Sequence, residues 1–121
     1  MYNKFQREKD PHQAMGIGKR ALIEKWLEEM EITNWHINDD LTIDVYNNVY
    51  IYHIGNMNQL PDFIQFGVVE SYFACPNSEI LSLRGFPKKT GNFYFNFSKG
   101  GFTKEDIRKV CQVEGDILDY A

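Results

Sequence analysis

The 121-residue chain is poor in the features that mark secreted, membrane-spanning or metal-bound proteins. It has two cysteines, Cys75 and Cys111, far apart and without Cys-x-x-Cys spacing. Thiols this sparse are no disulfide framework; they read as small buried hydrophobes in a reducing compartment. His12, His36 and His53 fall in different elements, and no His or Cys pair has ligand spacing, so no metal or cofactor is expected. No apolar run approaches the roughly 18 residues of a membrane helix. The opening MYNKFQREKD lacks a signal peptide's apolar core. The expectation is a soluble intracellular protein with no membrane partner.

Catalytic signatures are missing too. No serine sits in a Gly-x-Ser-x-Gly turn, and Gly16-Ile17-Gly18-Lys19 matches neither a P-loop nor a dinucleotide fingerprint. That segment reads as a break between two helices. Asp39, Asp40 and Asp44 form the densest acidic cluster, with Asp40 and Asp44 expected on one strand face with Thr42. A carboxylate pair or divalent-ion site is the chemical alternative there, and solvation of a turn and strand edge is the plainer reading. A non-enzyme is expected.

What is present supports one core. Hydrophobic residues make up 43% and aromatics 15%, enough for a single domain without staples. The net charge of −4 is mild but unevenly spread. From Ala21 to Asp62 eight acids stand against Lys25 alone, whereas from Arg84 to Lys109 seven bases stand against Glu105 and Asp106. Such polarity can steer a charged partner or favour head-to-tail self-association.

Residues 1–9 read as a polar tail. Asp10-Pro11 is a helix start, and residues 10–31 form a helical N-terminal cap. Within it the main helix runs from about Lys19 to Glu31, with Leu22, Ile23, Trp26, Leu27 and Met30 on one stripe. The period then drops to two. Leu41, Ile43 and Val45, a turn at Asn47-Asn48, then Val49 and Ile51 predict a β-hairpin within the region 40–101. Residues 102–121 hold a helix of about Lys104–Cys111 and a short strand near Asp116–Asp119. Thr103 and Asp106 make its capping box, Phe102 and Ile107 its staple, and Ile107, Val110 and Cys111 face inward.

The middle of the chain repeats. VYIYHIGNMNQLP from Val49, FACPNSEILSLRGFP from Phe73 and FYFNFSKGG from Phe93 align, at spacings of 24 and 20 residues. Val49, Phe73 and Phe93 correspond, as do Ile51, Cys75 and Phe95; Met57 matches Ile80 and Leu60 matches Leu83. That period fits leucine-rich-repeat coils, which bury their faces only by stacking. The expected fold is α/β: a short leucine-rich-repeat-like β-coil stack with an N-terminal amphipathic helix and a C-terminal capping helix.

The blocks GIGKRALIEKWLEEM, INDDLTIDV, FACPNSEILSLRGFPKKTGNF and FTKEDIRKVC together resemble phage-encoded proteins of leucine-rich-repeat type from large tailed phages. The likeness runs from Asp10 to near the end. This chain has fewer coils than is usual there, and one glycine of the family's pair is missing before Asn92. The resemblance implies a viral protein at work in the host cytoplasm and supplies no catalytic residues.

Strand parity then assigns the surface. With Val49, Phe73 and Phe93 inward, Tyr50, Ala74 and Tyr94 form one outward column, and Asn48, Tyr72 and Asn92 another. Tyr52 and Asn96 extend the patch. The expected partner-binding residues are therefore Tyr50, Tyr52, Tyr72, Tyr94, Asn92 and Asn96, on a non-enzymatic accessory protein that binds a host or phage protein and inhibits host machinery or defence. Tyrosine ladders also simply stabilise sheets. Two alternatives stand beside this reading. One is nucleic-acid binding by Arg84, Lys88, Lys89, Lys99 and Arg108 with Tyr94 stacking on bases; the other is a structural virion component.

Overall fold

The computed structural model describes residues 11–51, 58–76, 80–97 and 101–119, with backbone alone for 11–17. These residues form a mixed α/β fold of two helices and one seven-stranded sheet. Tyr52, Met57, His53 and Lys99 lie outside them.

Helix α1 spans Pro11–Glu29. Ile23, Trp26 and Leu27 are buried and Met30 is half-buried, but Leu22 is 50% exposed and does not belong to the apolar stripe. The expected break at Gly16-Ile17-Gly18 is also corrected, since the helix runs through it. A glycine inside a helix costs only about 1 kcal/mol relative to alanine. Burial of Ile23, Trp26 and Leu27 contributes about 1.5–3 kcal/mol each, so packing outweighs local propensity.

The helix stops in a defined way. Glu31 takes a left-handed conformation, φ 59°. Its amide donates to the Glu28 carbonyl at 3.0 Å, and the Ile32 amide donates to Leu27 at 2.9 Å. This is the paired-bond C-cap normally built on glycine, with buried Leu27 and Ile32 supplying its apolar contact.

The sheet contains β1 (Trp35–Ile37), β2 (Ile43–Val45), β3 (Val49–Tyr50), β4 (Phe66–Cys75), β5 (Lys89–Phe95), β6 (Gln112–Val113) and β7 (Ile117–Asp119). The path is β1-β2-β4-β5-β6, with β3 also on β4 and β7 also on β5. Only β1 and β2 pair antiparallel; the remaining pairings are parallel.

The expected hairpin is therefore corrected. Asn47-Asn48 does not reverse the chain: β2 and β3 both lie parallel to β4, and the antiparallel partner of β2 is β1. The reason is phase. Ile43, Val45, Val49 and Ile51 are all buried, so inward parity passes unbroken through residues 46–48. The Ser71 amide donates to the Asn47 carbonyl at 3.1 Å, holding the link against the next strand.

Residues equated by the repeat lie side by side. Val49 is opposite Phe73, Phe73 opposite Phe93, and Cys75 opposite Phe95, all fully buried. The connecting segments also run together, with the Leu81 amide donating to Asn58 at 2.8 Å and the Phe66 amide to Gly85 at 2.9 Å. Leu60 and Ile80 are buried there and Leu83 is half-buried. Gly85 has φ 89°, and an added Cβ would lie 2.6 Å from the Ile64 carbonyl oxygen, so only glycine fits.

Aromatic rings run through the core. Trp26 meets Phe66 at 6.1 Å, Phe66 meets Phe73 at 5.5 Å, and Phe73 meets Phe93 at 5.5 Å. Phe86, from the segment before β5, closes on Phe73 at 5.2 Å and Phe93 at 6.0 Å.

Helix α2 covers Lys104–Val110 and has the expected capping box. The Asp106 amide donates to Thr103 Oγ1 at 3.1 Å, and the Thr103 amide donates to Asp106 Oδ2 at 2.9 Å. Ile107 and Cys111 are buried, but Val110 is 47% exposed and is corrected to the outer side. Among the described residues no helix is long and apolar enough to cross a membrane.

Candidate functional site

Because alternate strand residues point to opposite faces, the buried set fixes an outward set. Across the sheet Tyr50 is opposite Ala74, Ala74 opposite Tyr94, and Tyr94 opposite Leu118. One row thus spans four strands. Tyr50 and Tyr94 are half-buried, Leu118 is exposed, and Ala74 has no exposed surface although it points outward.

The second row is tied by hydrogen bonds. Asn48 Nδ2 donates to the Tyr72 hydroxyl at 2.9 Å. The Tyr72 ring lies 5.3 Å from that of Tyr94, tilted by 31°. Asn92 stands opposite Tyr72, and its Oδ1 accepts from the Asp116 amide at 2.9 Å. Asn92 therefore holds the turn before β7 as well as facing outward. Asn96 is half-buried just beyond β5. Tyr50, Tyr72, Tyr94 and Asn92 share the face; Tyr52 falls outside the described residues.

The sequence reading missed Leu118 and Tyr46. Leu118 lies as far beyond Tyr94 as Ala74 lies beyond Tyr50, so extending the repeat period into β7 would have found it. Tyr46, 57% exposed, was hidden by the turn assigned at residues 47–48.

The basic residues are arranged differently. Arg84 Nη2 reaches Asp62 Oδ1 at 2.6 Å and the Leu60 carbonyl at 3.1 Å, pinning one connecting segment to the next. Lys89 Nζ pairs with Glu114 at 3.1 Å. Lys88 precedes β5 and Arg108 lies on α2, both exposed; Lys99 is outside the described residues. Two of these cations are already matched by acids, so they present no unbroken positive track for phosphates.

The acidic cluster separates into two structural roles. Asp40 Oδ1 accepts from Thr42 Oγ1 at 2.6 Å and from its amide at 3.0 Å, and these bonds hold its carboxyl below the ordinary range. Asp40 sits in the turn before β2, not on a strand face with Asp44. Asp44 Oδ1 accepts from the Val68 amide at 2.9 Å, at the irregularity between β2 and β4. Cys75 and Cys111 are both buried, and burial pushes the Cys111 thiol up to about 11. A thiol so placed is a poor nucleophile near neutrality.

Beside Tyr50 the face runs into a recess of about 180 Å³ between the end of α1 and β3, lined by Met30, Glu31, Ile32, Thr33, Asn47, Asn48 and Tyr50. Two local rules are broken there. Asn47 Oδ1 is the one buried side-chain polar atom without a hydrogen-bond partner among the described residues. Such an orphan costs about 1–3 kcal/mol. Glu31 occupies a left-handed position where glycine is preferred, at a cost of about 1 kcal/mol. No basic residue lines the recess, and none lies in the last turn of α1.

No family model, curated protein or solved structure matches this chain.

Proposed function

We propose that the chain is a non-enzymatic protein-binding module built on a short leucine-rich-repeat-like coil stack. Support for the stack comes from successive parallel strands at the repeat spacing, with equivalent residues paired laterally and the connecting segments hydrogen-bonded to each other. Following the sequence resemblance, its setting is a phage-infected cell, where it binds a host or phage protein and inhibits host machinery or defence.

One observation carries the binding reading: the outward row Tyr50–Ala74–Tyr94–Leu118, with Tyr72 packed beside Tyr94. Large amphipathic rings held by a rigid sheet offer contact area at little entropic cost. The Arg84–Asp62 and Lys89–Glu114 pairs weigh against a nucleic-acid surface.

The test is affinity capture from infected-host lysate, followed by direct binding of the recovered protein. Changing Tyr50, Tyr72 and Tyr94 together to alanine should remove that binding while circular dichroism stays unchanged. Undiminished binding by a folded triple variant would sink the reading.

A further inference from the structure

We propose that the outward sheet face docks a basic surface of the partner protein, with arginine and lysine side chains seated among its tyrosines and carboxylates. This rests on the reading of that face given above and adds the chemistry of the partner.

Strand parity sorts the charges as it sorts the rings. Asp44 lies between buried Ile43 and Val45, and Asp116 precedes buried Ile117, two positions before outward Leu118. Glu70 is exposed on β4, and Glu114 is exposed just after β6. Glu70, Lys89 and Glu114 line one recess of about 180 Å³ over β4, β5 and β6, floored at Gly91 where no side chain fills the face.

Four carboxylates, Asp44, Glu70, Glu114 and Asp116, thus stand against the ammonium of Lys89 at the outward strand positions. That leaves −3 of the chain's net −4 on this one face, so the remainder of the molecule is nearly balanced. Lys89 is itself bonded to Glu114. The carboxylates of Glu70 and Asp116 hold no bond among the described residues and are open to an incoming cation.

The rings ask for the same sign of charge. Tyr46, Tyr50, Tyr72 and Tyr94 stand on this face, and the π surface of tyrosine attracts guanidinium and ammonium groups. Both helices pack on the other side of the sheet, Trp26 of α1 against Phe66 and Ile107 of α2 within the core, so neither covers the face. A second copy is the poorer occupant, because Lys104, Arg108 and Lys109 of α2 are offset by Glu105 and Asp106.

The experiment titrates nona-arginine into the full-length protein and follows backbone amide shifts by NMR, with nona-glutamate as the control. Saturable shifts are expected on residues 44–50, 68–74, 89–94 and 114–118, and none with nona-glutamate. Glu70→Lys with Asp116→Lys, which break no side-chain bond among the described residues, should weaken binding about tenfold or more. Glu24→Lys with Glu28→Lys changes the net charge equally on the exposed side of α1 and should leave the mapped shifts in place. Circular dichroism checks that both variants are folded. Shifts centred on α1, equal weakening by the two variants, or no binding of nona-arginine would overturn the proposal. Shifts on the same face that appear on concentrating the protein alone would make a second copy the occupant and overturn it too.

Binding of the captured partner separates this inference from the reading beneath it. It should weaken as salt rises from about 50 to about 300 mM and be lost in the Glu70→Lys, Asp116→Lys variant. Loss with the tyrosine triple variant but not with the charge-reversed one would fault the partner's chemistry alone. Nona-arginine mapping to the face while the tyrosine triple variant binds the partner undiminished would fault the face as the partner site.

Discussion

The side-chain amide of Asn48, the residue before β3, donates to the Tyr72 hydroxyl on β4 at 2.9 Å across the outward face. The Tyr72 ring in turn lies 5.3 Å from Tyr94 on β5. One tyrosine is thus held by a hydrogen bond at its tip and by ring packing along its side. A face fixed in this way loses little freedom when a partner arrives, which is the physical content of preorganisation.

That arrangement separates two substitutions. Tyr72→Phe removes an exposed hydrogen bond and keeps the ring, so urea unfolding should show a loss of no more than about 1 kcal/mol. Tyr72→Ala also forfeits the ring pair with Tyr94 and should cost about 0.5–1.5 kcal/mol more. Equal effects from the two would mean that the ring contact contributes nothing.

Arg84 and Asp62 should also prove unequal. The ion pair is solvent-exposed and worth at most about 1 kcal/mol, so Asp62→Ala should be mild. Arg84 additionally donates to the Leu60 carbonyl, bridging to a neighbouring segment, so Arg84→Ala should cost about 1 kcal/mol more. Urea midpoints at low and high salt check both claims. The Asp62 effect should shrink with salt and the excess at Arg84 should persist.

Much of the fold was legible because burial follows parity. Val49, Ile51, Phe73, Cys75, Phe93 and Phe95 were assigned inward from alternation alone, and each is fully buried. The capping box at Thr103 was legible because its two reciprocal bonds are local in sequence. The path of the chain at Asn47-Asn48 was not. A turn dipeptide does not say whether the strand reverses or merely kinks, and long-range pairing with β4 decided it. Leu22 and Val110 were misplaced because a helical stripe wider than the surface covering it leaves its edge residue in water. On the outward face, the tyrosines followed from parity, whereas the recess depends on where the α1 cap meets β3 and has no short-range signal.

Acid stability should depend on two local carboxylates. Asp40 is lowered from the model-compound value of 3.8 first by its bond from the Thr42 side chain, and Asp106 by its bond from the Thr103 backbone. A carboxyl with a depressed folded value binds fewer protons folded than unfolded, so stability rises with pH across that range. Both contributions should be complete above about pH 5 and fade as pH falls below 3.8. Urea midpoints measured across that range should fall with acid in the parent protein. The Asp40→Ala, Asp106→Ala double variant should start lower and show a shallower decline; an unchanged slope would refute the assignment.

The sharpest stability contrast lies between two glycines. Gly18 sits inside α1, and an added Cβ there meets no atom within 4 Å. Gly18→Ala should therefore stabilise the protein by up to about 1 kcal/mol through helix propensity and a less flexible unfolded chain. Gly85 sits at φ 89°, and its added Cβ would press on the Ile64 carbonyl oxygen and then on Leu60. The positive φ alone costs about 1–2 kcal/mol, and the backbone contact adds to it. Gly85→Ala should lower the urea midpoint markedly while Gly18→Ala raises it. Destabilisation by Gly18→Ala would show that α1 is interrupted at its glycines after all, because alanine is unfavourable there only if the chain leaves the helical conformation.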